Sequence, residues 1–171
     1  MIHLNIGSNL ESPHGSRFNN IIITINLLIE AKIEIKKISN FYETPSYPNH
    51  NFPKYLNVGL IVNYKKNYLD LFKDIKFIEK KLGRTRAKKN DPRVIDIDII
   101  DFKNKIKNTK ELILPHPKCH LRNFVLFPIM QIDPNWVHPI LKKNAQYFIN
   151  NLSQKSRIEI TRLKKNVNIQ T

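Results

Sequence analysis

The chain has 171 residues, 41% of them hydrophobic, one cysteine, and a formal net charge of +15 from 29 Lys+Arg against 14 Asp+Glu. That length suits one domain with a single core, and the lone Cys119 excludes an intramolecular disulfide and fits a reducing cytoplasmic compartment. The longest apolar run, Ile21 to Ile29, is broken by Thr24 and Asn26 and falls far short of the ~20 residues that span a bilayer, and the first residues lack the basic and apolar blocks of a signal peptide.

In chain order, Ile2 to Ile6 alternates as a strand and Gly7-Ser8-Asn9 ends it. Ser16 to Ala31 is expected as a helix, capped by Ser16, with Phe18, Ile21, Ile22, Ile25, Leu28 and Ile29 on its apolar side. A β-rich segment follows from Ile33 to Tyr42, with Lys36-Lys37 suggesting a bulge. Pro45, Pro48 and Pro53 make residues 44–53 a loop, and Tyr55 to Val62 a returning strand. A second helix is expected from Tyr68 to Leu82, with Leu69, Phe72, Ile75, Lys76 and Glu79 on related faces and Gly83 as its stop. A basic loop leads from Arg84 to Arg93 into a strand from Val94 to Ile100. Beyond it stand a short strand pair within 106–114, a helix from Phe124 to Ile132 with Pro128 inside, a short helix from Gln146 to Leu152, and an alternating tail from Arg157 to Lys165. The order β-α-β-β-α-β is the ferredoxin-like arrangement, an α+β fold with an antiparallel sheet and helices on one face. Residues 1–140 form its core, and 141–171 are expected as a peripheral helix and basic tail.

The charge has two readings: a polyanionic partner such as RNA, or a solvated lysine surface. The lysines are scattered, which favours the second, whereas Arg84, Arg86 and Arg93 cluster, and their planar forks suit phosphate oxygens. Just downstream lies Asp96-Ile97-Asp98. In a strand the two carboxylates share one face, about 7 Å apart at ~3.3 Å per residue. Aspartate is depleted in strands and the two charges repel, so a divalent cation with phosphate ligands would account for both. The competing reading is a solvent-facing edge strand. With four glycines in the chain, no Walker A loop can be drawn, so any use of ATP proceeds without one.

Five segments in order resemble the 6-hydroxymethyl-7,8-dihydropterin pyrophosphokinase family of folate biosynthesis: Ile6-Gly7-Ser8-Asn9-Leu10, Phe41 to Pro45, Tyr55-Leu56-Asn57, Pro92 to Ile99, and Leu114 to Pro117 followed by Arg122-Asn123-Phe124. The resemblance implies a ferredoxin-like, ATP-using enzyme that moves a diphosphate onto a pterin hydroxymethyl group and releases AMP. It implies that Asp96 and Asp98 hold two Mg²⁺ ions and that Arg84 and Arg93 act in catalysis. It places Glu79, Arg84, Arg86, Arg93, Ile99, His116 and Arg122 around ATP, and Thr44, Pro45, Tyr55, Asn57 and Phe124 around the pterin. A flat heterocycle independently calls for aromatic faces and an amide, as Tyr55, Phe124 and Asn57 offer, although an apolar-flanked Phe124 also reads as core. Where some members carry Gly or Ala and a Trp in the basic loop, this chain has Asp91 and Asn90, so loop closure over the substrates is expected to be less favourable.

Small-molecule partners, no nucleic acid, no membrane and a monomer are expected. Two alternatives stand beside this reading: a basic ferredoxin-like RNA-binding module, and another two-metal nucleotidyl transferase with a different acceptor. Two carboxylates on an exposed sheet face oppose the first. His116, Cys119 and His120 hint at zinc but supply no fourth partner, so Cys119 reads as passive.

Overall fold

A computed structural model of the chain describes residues 1–83 and 91–164. The expectations for Arg84, Arg86, Asn90 and a covering loop, and for the tail past Lys164, lie outside the described residues. The sheet is built on β1 (Ile2–Ser8), which pairs antiparallel on one side with β4 (Tyr55–Asn63) and on the other with β5 (Asp96–Phe102). Along the far edge of β4 lie β2 (Glu34–Ile38) and β3 (Tyr42–Thr44), end to end, with the expected irregularity between Ile35 and Lys37. With α1 (Arg17–Glu30) and α2 (Tyr68–Lys81) as the crossovers, the chain follows the ferredoxin-like order.

Period two divides each strand between two faces. One face carries Ile2, Leu4 and Ile6, Leu56, Val58 and Leu60, and Ile97 and Ile99, all packed under Ile21, Ile25 and Leu28 of α1 and Leu71, Ile75 and Ile78 of α2. The expected faces hold at Ile21, Ile25, Leu28 and Ile75 and shift at a few positions. Ile29 is exposed, while Asn20 and Thr24 are buried with the Thr24 hydroxyl donating to the Asn20 carbonyl at 2.7 Å. In α2 the buried positions are Leu71, Ile75, Ile78 and Glu79, while Leu69 and Phe72 are half-buried. Apolar spacing alone could not choose between these, because both helices carry more apolar residues than one face needs.

The opposite face is covered by the C-terminal extension. A two-stranded ribbon of β6 (Lys107–Asn108) and β7 (Ile113–Leu114) leads into α3 (Asn123–Ile132), α4 (Ala145–Asn151), α5 (Gln154–Ile158) and β8 (Thr161–Arg162). Pro128 sits inside α3, where its ring meets the strand at Gly59. A Cβ on Gly59 would come within 2.7 Å of the Pro128 Cβ, so the bare glycine is what lets α3 seat on the sheet. Ile100, Val125, Leu126, Ile129, Trp136 and Phe148 form the second core there. The start of the alternating tail, Arg157 and Ile158, belongs to α5, where Ser153 caps the turn by accepting from Ser156 N. The strand then forms as β8, which pairs with β3. Among the described residues no helix is long and apolar enough to cross a membrane.

One register shift matters for the site. Leu4 faces Ile99, yet His3 faces Asp101, so Ile100 is an inserted residue in β5. Both Ile100 and Asp101 therefore reach the α3 side. There Asp101, buried, accepts a hydrogen bond from Trp136 Nε1 at 3.0 Å, and His3 bonds Asp133 at 2.9 Å.

Candidate active site

The face of the sheet turned away from α1 and α2 is not wholly covered. Near the end of β1, Gly7 stands opposite both Asp96 and Asn57, and Asn5 opposite Asp98. These residues floor a cleft of about 1790 Å³, walled by the loop after β3, the first turn of α3 and the short α5.

On one side of the cleft the charges are paired. Arg93 Nη1 lies 2.9 Å from Asp96 Oδ2, and Arg122 Nη1 lies 3.1 Å from Asp98 Oδ2. His116 Nε2 is 3.9 Å from the same Asp98 oxygen and 3.3 Å from Arg122 Nη1. Burial, and then the neighbouring Asp96 carboxylate, push Asp98 up to about 6 against the pull of Arg122. Burial and the Arg122 cation push His116 down to about 4, so its ring is neutral at pH 7. Burial works against the charge on Arg93, but Asp96, Tyr55 and Asp98 outweigh it and hold the guanidinium above its ordinary value.

The other side is uncharged. Thr44, Pro45, Tyr55, Asn57 and Phe124 all line it. Asn57 Nδ2 donates to Thr44 Oγ1 at 3.2 Å, which leaves its carbonyl oxygen next to Gly7. Phe124 opens α3, and the Arg122 guanidinium lies over its ring at 5.4 Å. The fold thus brings together Arg93, Asp96, Asp98, His116 and Arg122 with all five residues expected for a pterin.

Two expected ATP contacts, Glu79 and Ile99, border these cavities with most of their side chains buried. Glu79 is 2% exposed, and its carboxylate accepts from Ile97 N at 2.8 Å and pairs with Lys76 at 2.8 Å. It ties α2 to the aspartate-bearing strand. The Ile99 side chain is buried in the helix-side core and reaches only the edge of a smaller cavity of about 270 Å³, which also borders Asp98, His116 and Leu112.

The same geometry can be tested for a hard cation. Asn5, 4% exposed, has a side-chain oxygen with no hydrogen-bond partner among the described residues, and it stands in register with Asp98. Two carboxylates and an unengaged amide oxygen are an all-oxygen donor set of the kind Mg²⁺ takes. The residues present fit that ion.

The comparisons with known proteins bear on the same region. A family model described as 7,8-dihydro-6-hydroxymethylpterin-pyrophosphokinase matches residues 3–134. The chain belongs to this pyrophosphokinase family. A curated relative of that activity from Aquifex aeolicus is 37% identical over 147 residues, covering 86% of this chain and 89% of its own. Another, from Bacillus subtilis, is 32% identical over 131 residues, 76% of each chain. Among solved structures, a crystal structure titled as HPPK-DHPS in complex with substrates has a TM-score of 0.71 at 15% identity, which supports the fold alone. It covers 94% of this chain, but this chain spans only 46% of that one.

The pyrophosphokinase match ends just after α3, yet α5 lies beyond it and still borders the cleft through Ser153, Lys155, Ser156 and Glu159. The extension is therefore not peripheral to the site. It is fastened there by Asn123 Nδ2, which donates to the Ser156 carbonyl at 2.7 Å. Sequence reasoning missed Asn5, although its polar place in the alternation of β1 was a usable signal. Cys119, His120 and His138 come within 4.8 Å of one another. However, His138 Nδ1 accepts from the backbone N–H groups of Ile140 and Leu141, which puts its proton on Nε2. Burial also pushes the Cys119 thiol up to about 12. This cluster has the protonation of a packed core rather than of a metal centre.

Proposed function

We propose that the chain moves the β,γ-diphosphate of ATP onto the hydroxymethyl oxygen of 6-hydroxymethyl-7,8-dihydropterin. The alcohol oxygen bonds to the β-phosphorus and releases its proton to water, the bond from that phosphorus to the α-bridging oxygen breaks, and AMP leaves. The observation that carries this reading is one strand presenting Asp96 and Asp98 between a side lined by Arg93, Arg122 and His116 and a side lined by Asn57, Tyr55 and Phe124. Such a junction is where a triphosphate and an aromatic alcohol would meet.

The chain's own residues then divide the work. Asn57 and Thr44 read the donor–acceptor edge of the heterocycle, while Phe124 and Tyr55 cover its faces. Arg93 and Arg122 hold phosphate oxygens, which suits their forked geometry. The neutral His116 donates or accepts a single hydrogen bond without adding charge. Asp96 and Asp98, with the Asn5 oxygen beside them, would hold two Mg²⁺ ions. Bound Mg²⁺ would neutralise phosphate charge and orient the oxygens for in-line displacement. The smaller cavity beside Asp98, with Leu112 and Ile99 at its walls, suits the nucleoside end of ATP. The enzyme works in this reading as a cytoplasmic monomer on small molecules. The RNA-module alternative is disfavoured because the exposed sheet face carries carboxylates rather than stacked aromatics.

The test is incubation with ATP, Mg²⁺ and the dihydropterin, followed by nucleotide analysis. AMP formed in step with a diphosphorylated pterin supports the reading. ADP, or AMP formed without the pterin, overturns it. Asp96→Asn and Asp98→Asn should each remove AMP formation while the fold persists.

A further inference from the structure

One buried amide touches both halves of the cleft. Asn9 follows β1 and is 1% exposed. Its Oδ1 accepts from the Arg93 backbone N–H at 2.7 Å, and its own backbone N–H donates to the Arg93 carbonyl at 3.2 Å. These two bonds fix the backbone from which Arg93 reaches Asp96. The other end of the same amide faces the opposite way. Nδ2 donates to Ser46 Oγ at 3.3 Å and to the Pro53 carbonyl at 3.1 Å. Ser46 Oγ in turn donates to the Pro53 carbonyl at 2.5 Å, closing the base of the loop that follows Thr44 and Pro45 and leads to Tyr55. That loop includes three prolines and has few other ties to the body of the protein, so Asn9 and Ser46 define where it stands.

We infer that Asn9 is a positioning residue that sets the Arg93 backbone and the pterin-side loop relative to one another, so that the two substrate halves are held in one register. The inference rests on the proposed reaction for its consequence but not for its geometry. The physical basis is that a planar amide has fixed donor and acceptor ends, and a buried one must satisfy both. Moving either segment would break bonds at the other. Alanine keeps the backbone bond to Arg93 and loses the three side-chain bonds. Ser46→Ala severs one branch and leaves Arg93 alone.

The first test is hydrogen exchange on the full chain. In Asn9→Ala, peptides covering 44–53 and those covering 91–95 should lose protection together, whereas Ser46→Ala should loosen 44–53 only. Loss confined to one segment in Asn9→Ala overturns the inference. This readout does not depend on the reaction, so absence of AMP formation by the native enzyme would count against the proposed function alone. The second test is a double-mutant cycle on single-turnover transfer at saturating substrates. Asn9→Ala should slow transfer by about tenfold or more, the scale of one lost buried hydrogen bond. In an Arg93→Ala background the same change should slow it by less than about threefold, because neighbours acting through one group are not additive. Equal slowing in both backgrounds marks a general structural role and refutes positioning through Arg93. If Asn9→Ala fails to fold, Ser46→Ala decides: it should raise the pterin Kd and loosen 44–53 while 91–95 keeps its protection, and lost protection at 91–95 or an unchanged 44–53 contradicts the two-branch geometry.

Discussion

Gly7 offers a sharp test of the pterin side, because replacing it with alanine adds one methyl group aimed at one amide. The Cβ would stand 3.0 Å from Asn57 Oδ1 and 3.6 Å from Tyr55 Cδ1. Relief requires the Asn57 side chain to give way by about 0.4 Å, since close packing leaves no slack. Its bond to Thr44 Oγ1, already 3.2 Å, then stretches toward the limit of a hydrogen bond. Losing the orientation of one polar contact in a desolvated pocket costs about 1–3 kcal/mol, or roughly one to two decades in pterin Kd. The effect on folding has the other sign. Gly7 lies in a strand with no positive φ, and alanine there recovers about 0.5–1 kcal/mol of backbone entropy. Calorimetric titration with the dihydropterin, titration with MgATP, and a thermal melt together read the result. The expected pattern is weaker pterin binding, near-native MgATP binding and an equal or higher Tm, with Asn57→Ala reproducing the binding defect. An unchanged pterin Kd, or a Tm that falls with it, would refute the reasoning.

Other changes probe the supports of the site. In the metal-free protein Asp98→Asn should raise the Tm at pH 8 and lose its advantage below about pH 4. The fold holds the Asp98 proton up to about 6 rather than the ordinary 3.8, so the cost of ionising it grows as pH rises between those values; a variant that melts lower at pH 8 contradicts this. Trp136→Phe removes the 3.0 Å donor to buried Asp101 and should destabilise by about 1–3 kcal/mol, measured by denaturant unfolding, with native-like stability as the adverse result. Gly59→Ala forces a Cβ to within 2.7 Å of Pro128 and should cost about 1–3 kcal/mol by overpacking. Because α3 carries Phe124, pterin affinity should fall as well; stability lost with affinity intact would mean that α3 adjusts locally.

The core order was legible because its signals are local. Alternation marks β1, β4 and β5, and Ser16 caps α1 as expected, its side chain accepting from Asn19 N. The shared face of Asp96 and Asp98 follows from the two-residue period alone. What was hidden depended on partners far away in sequence. Nothing around Ile100 announces an inserted residue; it appears only in the pairing with His3 and Leu4. Pro128 was expected inside α3, but what accommodates it, the bare Gly59, lies far earlier in the chain and leaves no local signal. The tie from Glu79 to the Ile97 N–H was also hidden, because a buried carboxylate receiving a strand N–H has no sequence signature. The role of α5 as a wall likewise depends on the Asn123 bond to Ser156.

The crossed pairs Arg93–Asp96 and Arg122–Asp98 mean that these four charges of the cleft are already matched to one another. Entry of a magnesium nucleotide is then a double displacement. Under the proposed reaction, each carboxylate would pass from guanidinium to metal, and each guanidinium from carboxylate to phosphate. Contacts made are largely matched by contacts surrendered, so the heat of association should be small for so highly charged a ligand. Added salt should weaken equilibrium binding less than the number of phosphate contacts suggests. Its stronger effect should fall on the rate of encounter, through the rim lysines Lys118 and Lys155, which act at a distance before any exchange begins.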